Sequence, residues 1–124
     1  MNTPNEPKVL NLKISDDVIA VCALNATLKT KGVAELSGGL TNVLSKNILG
    51  KELLAKGIKV SQGEESLVID ISVIVDYDVK IPTVAWDIQE NVKKEVESMT
   101  EIPVEAVNIS VQGVHIPEED PGND

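Results

Sequence analysis

The sequence predicts an α+β fold of two layers, with two helices packed on one face of a mixed, largely antiparallel sheet. Three observations predict it. β-Branched residues dominate 58–75 and 104–116, where they suit strands. Two other stretches, opening at Ser15 and Pro82, carry apolar residues at helical positions. The strand expected over 66–77 has one purely aliphatic face, Leu67, Ile69, Ile71, Val73 and Val75, and one mixed face, Val68, Asp70, Ser72, Ile74 and Asp76. A sheet patterned in this way is covered by helices on one side and is partly wet on the other.

The 124 residues fit one domain, divided as a polar, proline-containing arm over 1–8, a folded body over 9–117 and an acidic tail over 118–124. Val9, Leu10, Leu12 and Ile14 suggest a short first strand. Ser15 is a suitable N-cap, and Asp16 and Asp17 complement the helix dipole in the first turn. The helix that follows, to Leu28, is apolar around most of its circumference and is expected to be well buried. Val33 to Leu36 is a brief strand. From Ser37 to Lys56, glycines at 38, 39 and 50 break the pattern, and a loop is expected.

Gly57 to Ser61 and Ser66 to Tyr77 form a hairpin across a polar turn containing Gly63. Pro82 is tolerated in a first helical turn, and Val84, Ala85, Ile88, Val92, Val96 and Met99 form the buried stripe of the second helix. Its charged side offers a Glu90–Lys94 pair at i,i+4. In the last strand, Val107, Ile109 and Val111 alternate with polar residues. The alternation changes phase at Gly113, which predicts a bulge or bend there.

Composition narrows the function. Net charge is −9, and all eleven basic residues are Lys. Such a chain is repelled by nucleic acid and anionic lipid, and it lacks the Arg fork that recognises phosphate. Neither a secretory leader nor a membrane-spanning apolar run is apparent, so a cytoplasmic location is expected, without direct membrane insertion.

Reactive groups are sparse. Cys22 and His115 are single, which is too few for a zinc site, and Cys22 sits in an apolar helical segment. Asp76 and Asp78 flank Tyr77 where a strand runs out, a place where exposed acids are common. Gly50 and Lys51 resemble the end of a phosphate-binding loop, but Glu52 stands where Ser or Thr is required. No catalytic, cofactor-binding or metal-binding residue is therefore expected.

Several stretches in order carry a resemblance to a known family. They are Ile14-Ser15-Asp16-Asp17-Val18-Ile19-Ala20; Gly32 to Gly39; Gly50-Lys51 through Lys56-Gly57-Ile58-Lys59-Val60; Ile69-Asp70-Ile71 through Tyr77; Val84-Ala85 and Ile88-Gln89; Val96 to Thr100; and Val107 to Val114. Together, over Val9 to Ile116, they resemble the alkaline shock, or general stress, proteins of Gram-positive bacteria. The resemblance implies a non-enzymatic cytoplasmic protein that supports cell-envelope homeostasis through protein contacts. A membrane-anchored family member and a second copy of the chain are the candidate partners, and no cofactor is implied. An accessory or regulatory subunit of a metabolic enzyme, for instance a lipid-related one, is the alternative. Candidate contact residues are Val68 and Ile74 on the mixed sheet face, and Gly38, Gly39, Gly50 and Lys51 in the glycine-flanked stretch.

Overall fold

The computed structural model describes residues 12–37 and 57–117. In chain order these form α1 (Asp16–Leu28), β1 (Val33–Leu36), β2 (Ile58–Gln62), β3 (Leu67–Asp76), α2 (Ile81–Thr100) and β4 (Val104–His115). The arm expected over 1–8, the tail expected over 118–124 and, apart from Ser37, the loop expected from Ser37 to Lys56 lie outside the described residues.

β3 is the axis of the sheet. β4 runs parallel to it along its whole length, from the Leu67–Val104 pair to the Asp76–His115 pair. A parallel neighbour requires a crossover, and α2 supplies it. Both β1 and β2 pair antiparallel with the other edge of β3. β2 takes Leu67 to Ile71 and β1 takes Val73 to Val75. The two short strands therefore lie end to end along one edge. At their junction, Ser37 N–H donates to the Ser72 carbonyl and Ser72 N–H to the Gly57 carbonyl. Gly57 has φ +83°, and a Cβ there would lie 2.7 Å from the Ser37 carbonyl oxygen, so the junction needs glycine for both conformation and space.

The expected two-layer arrangement is present. Leu67, Ile69, Ile71, Val73 and Val75 are buried beneath the helices, and the alternate residues of β3 are half-buried on the opposite face. From α2 the core receives Val84, Ile88, Val92 and Val96, and from α1 chiefly Ile19, Ala23 and Leu24. Burying a large aliphatic side chain is worth about 1.5–3 kcal/mol, so this one layer carries most of the driving force.

Local chemistry sets the helix ends. Ser15 Oγ accepts the Val18 N–H at 3.3 Å, and Asp16 and Asp17 occupy the first turn of α1. Pro82 opens α2, and Glu101 closes it in the left-handed conformation, φ 62°. Thr27, Thr30 and Thr100 are buried, and each hydroxyl donates to the carbonyl four residues earlier. That bond allows a polar side chain to stand in an aliphatic layer.

Four expectations are corrected. Leu12 to Ile14 is not strand: Leu12 is 70% exposed, while Ile14 packs against the core and its carbonyl accepts from the Gln62 amide. α1 is not buried all round, since Val18, Val21 and Leu28 form an outer stripe that neither the sheet nor α2 reaches. Met99 is 65% exposed, and Thr100 takes the inward place because the buried series runs at strict four-residue steps from Val84. The i,i+4 pair on α2 is Lys93–Glu97, 3.0 Å, rather than Glu90–Lys94.

Candidate protein-contact surface

Strand alternation turns Val68, Asp70, Ser72, Ile74 and Asp76 of β3 away from the helices, and the register brings neighbours beside them. Val68 lies between Ser61 and Ala106. Asp70 lies between Lys59 and Asn108, whose amide donates to Asp70 Oδ1 at 2.8 Å. Ser72 has Ser110 beside it, and Ile74 lies between Glu35 and Gly113. Gly113 presents no side chain, so Ile74 is left open on that side. None of the described elements covers this face.

The surface is thus banded rather than uniformly apolar. Val68 with Ala106 forms one aliphatic spot, and Ile74 over Gly113 forms another. The band between them holds Lys59, Asp70, Asn108, Ser72 and Ser110. Val68 and Ile74 are six positions apart along the strand, about 20 Å. The two are placed on one face as expected, but they do not touch. Gly38, Gly39, Gly50 and Lys51 lie outside the described residues.

The reactive groups are dispersed. Cys22 is 7% exposed on α1, and its thiol is pushed above the ordinary value, first by burial and then by the negative charge of Glu95. His115 stands on the far side of the sheet at the end of β4, with Asp76 as its register neighbour. Asp78 lies in the turn after β3 with φ 80°. Sheet and helix layer separate the thiol from the imidazole. Among the described residues no group of three or more His, Cys, Asp or Glu side chains comes together, and no helix is long and apolar enough to cross a membrane.

Sequence reading missed one ordered polar cluster. On α2, Glu97 accepts the Val104 N–H at 2.8 Å, Lys93 Nζ lies 3.4 Å from the Val104 carbonyl, and Gln89 donates to the Val107 carbonyl at 2.8 Å. These three side chains, four residues apart, bond the outer edge of β4. The spacing was a visible signal, but it reads equally as a solvated helix face. Glu97 is held below the usual carboxylate range, first by the Val104 N–H and then by Lys93.

Residues 5–116 match the model of the alkaline shock protein 23 family, described as having a cell envelope-related function. The chain belongs to that family. Similar members include YloU of Bacillus subtilis, 35% identical over 111 residues that cover 85% of this chain and 88% of that protein. YqhY of the same organism is 34% identical, covering 83% of this chain and 76% of its own. A stress response regulator gls24 homolog of Streptococcus pyogenes is 26% identical over 87% of this chain and 60% of that protein. Among solved structures, MamM-CTD H264A has a TM-score of 0.50 over 80% of this chain and 98% of that one. At 13% identity that likeness is one of fold alone. The alkaline shock and general stress resemblance read from the sequence is thereby established, and with it membership of a stress-response, cell envelope-related family.

Proposed function

We propose that this alkaline shock family protein is a non-enzymatic scaffold or adaptor that works in the cytoplasm and serves the cell envelope through contacts with other proteins. It needs no cofactor, does not bind nucleic acid and does not itself enter the membrane. One observation carries the reading: a complete sheet face is left without a covering layer among the described residues, with half-buried Val68 and Ile74 flanking a hydrogen-bonded polar band. Apolar anchors set in a polar surround suit a protein interface better than a substrate cleft. The separation of Cys22 from His115 supports the non-enzymatic part, because a raised thiol with no adjacent base is a poor nucleophile.

The test is a pull-down from native cytoplasm with the full chain and with a Val68→Glu/Ile74→Glu variant of unchanged circular dichroism. The wild type is expected to retain envelope or membrane-anchored proteins, and the variant to lose them. Retention of one stoichiometric metabolic enzyme instead would replace this reading with that of an accessory subunit. A hydrolytic activity abolished by His115→Ala or Asp76→Asn would end the non-enzymatic assignment.

A further inference from the structure

β4 is an outer strand, and its free edge is treated differently along its length. In a parallel ladder, alternate residues of an outer strand turn both backbone groups away from the sheet. Val104 and Val107 belong to that set, since α2 side chains bond them, and the register shift at Glu105 accounts for their three-residue spacing. In step with Val107 come Ile109 and Val111. One helical turn before Gln89, the α2 position that would reach Ile109 is Ala85, which has no hydrogen-bonding group. The outward N–H and C=O groups of Ile109 and Val111 are therefore unanswered among the described residues.

Outer strands of monomers are usually guarded by charge, proline or a bulge. Between Glu105 and His115, β4 has neither charge nor proline, and its two register shifts lie outside the open part, at Glu105 opposite Leu67 and Val68 and at Gln112 opposite Val73 and Ile74. The helix above changes character at the same level. Over the bonded part stand Lys93 and Glu97. Toward the open part, Trp86, three residues before Gln89 on the same side of α2, is 60% exposed, and Ile81 is also exposed.

We propose that the open part of β4 is a homodimer seam, occupied by the same strand of a second copy running antiparallel about a two-fold axis at Ser110. Ile109 of each copy exchanges its backbone hydrogen bonds with Val111 of the other, which answers all the outward groups at once and ends at the Gln112 register shift. The register is electrostatically self-consistent. Antiparallel pairing keeps the two Glu105 residues at opposite ends of the seam, each toward the His115 end of the other copy. In a chain of net charge −9, this uncharged stretch is where two copies can approach without opposing carboxylates. The two sheets become continuous, and Trp86 and Ile81 of both copies border the seam on the helix side. The interface is isologous, the form expected of a closed dimer. It is separate from the open-face reading, and the experiment distinguishes the two.

Ser110 is exposed, so a charge there is tolerated by the single chain, but in the dimer it meets its own copy directly. Sedimentation of the full-length wild type should show concentration-dependent dimers, with the emission of the single Trp86 moving to shorter wavelength as they form. Ser110→Lys and Ser110→Glu should each weaken dimerisation by about tenfold or more, and mixing the two variants should restore it. Val68→Glu/Ile74→Glu should leave it intact. A wild type that stays monomeric at its solubility limit overturns the seam while leaving the pull-down result standing. So does unchanged dimerisation of either Ser110 variant, or failure of the mixture to recover.

Discussion

Glu101 shows how much a single backbone conformation can cost. It closes α2 at φ 62°, a region that places a Cβ against the following carbonyl, and its N–H still completes the last turn by donating to Glu97 O. Glycine removes the steric penalty at the expense of a more flexible unfolded chain. Glu101→Gly is therefore expected to raise stability by about 0.5–1 kcal/mol, read as a higher midpoint in urea at unchanged slope. At Gly32 the argument is reversed. Its φ is +98°, and a Cβ would stand 2.7 Å from Val84 Cγ2, so the approach of the chain entering β1 to α2 depends on glycine's bare backbone.

At the scale of elements, the junction between α2 and β4 is held by charge. Glu97 accepts from both Val104 N–H and Lys93, and its folded-state pKa lies below the ordinary value. A depressed carboxyl pKa adds stability above its unfolded pKa, and that contribution disappears as pH falls through the folded value. Melting temperatures of the wild type and Glu97→Gln should therefore differ most near neutrality and converge in acid. A gap that widens on acidification would contradict the assignment. Elements with a short-range code were readable in advance: Ser15 as a cap, the hairpin over 57–77, Pro82 in a first turn and the phase change near Gly113. Elements fixed by distant partners were not. That β4 lies parallel to β3, and that β1 and β2 share one edge, follows from pairing across tens of residues, which no local pattern encodes. Met99 and Thr100 exchanged places because an internal hydrogen bond hides the threonine hydroxyl, which a hydropathy pattern does not register. Of the candidate contact surface, membership of the mixed face was readable from alternation. Its banding, set by which β4 and β2 residues lie beside Val68 and Ile74, was not.

For the molecule as a whole, stability concentrates on β3, which is paired on both edges and roofed by both helices. Ile71 is 1% exposed at its centre, with Ile58 and Ile109 as register neighbours. Ile71→Ala should cost about 3 kcal/mol in equilibrium urea unfolding, because strands and helices close around it and cannot collapse into the space left. The end-to-end seating of β1 and β2 carries a different consequence. The polypeptide departs at Ser37 and re-enters at Gly57 beside the same residue, Ser72. A single residue of β3 thereby fastens the close of one short strand and the opening of the next, so position 72 must keep its backbone N–H, and proline is the one residue barred from it.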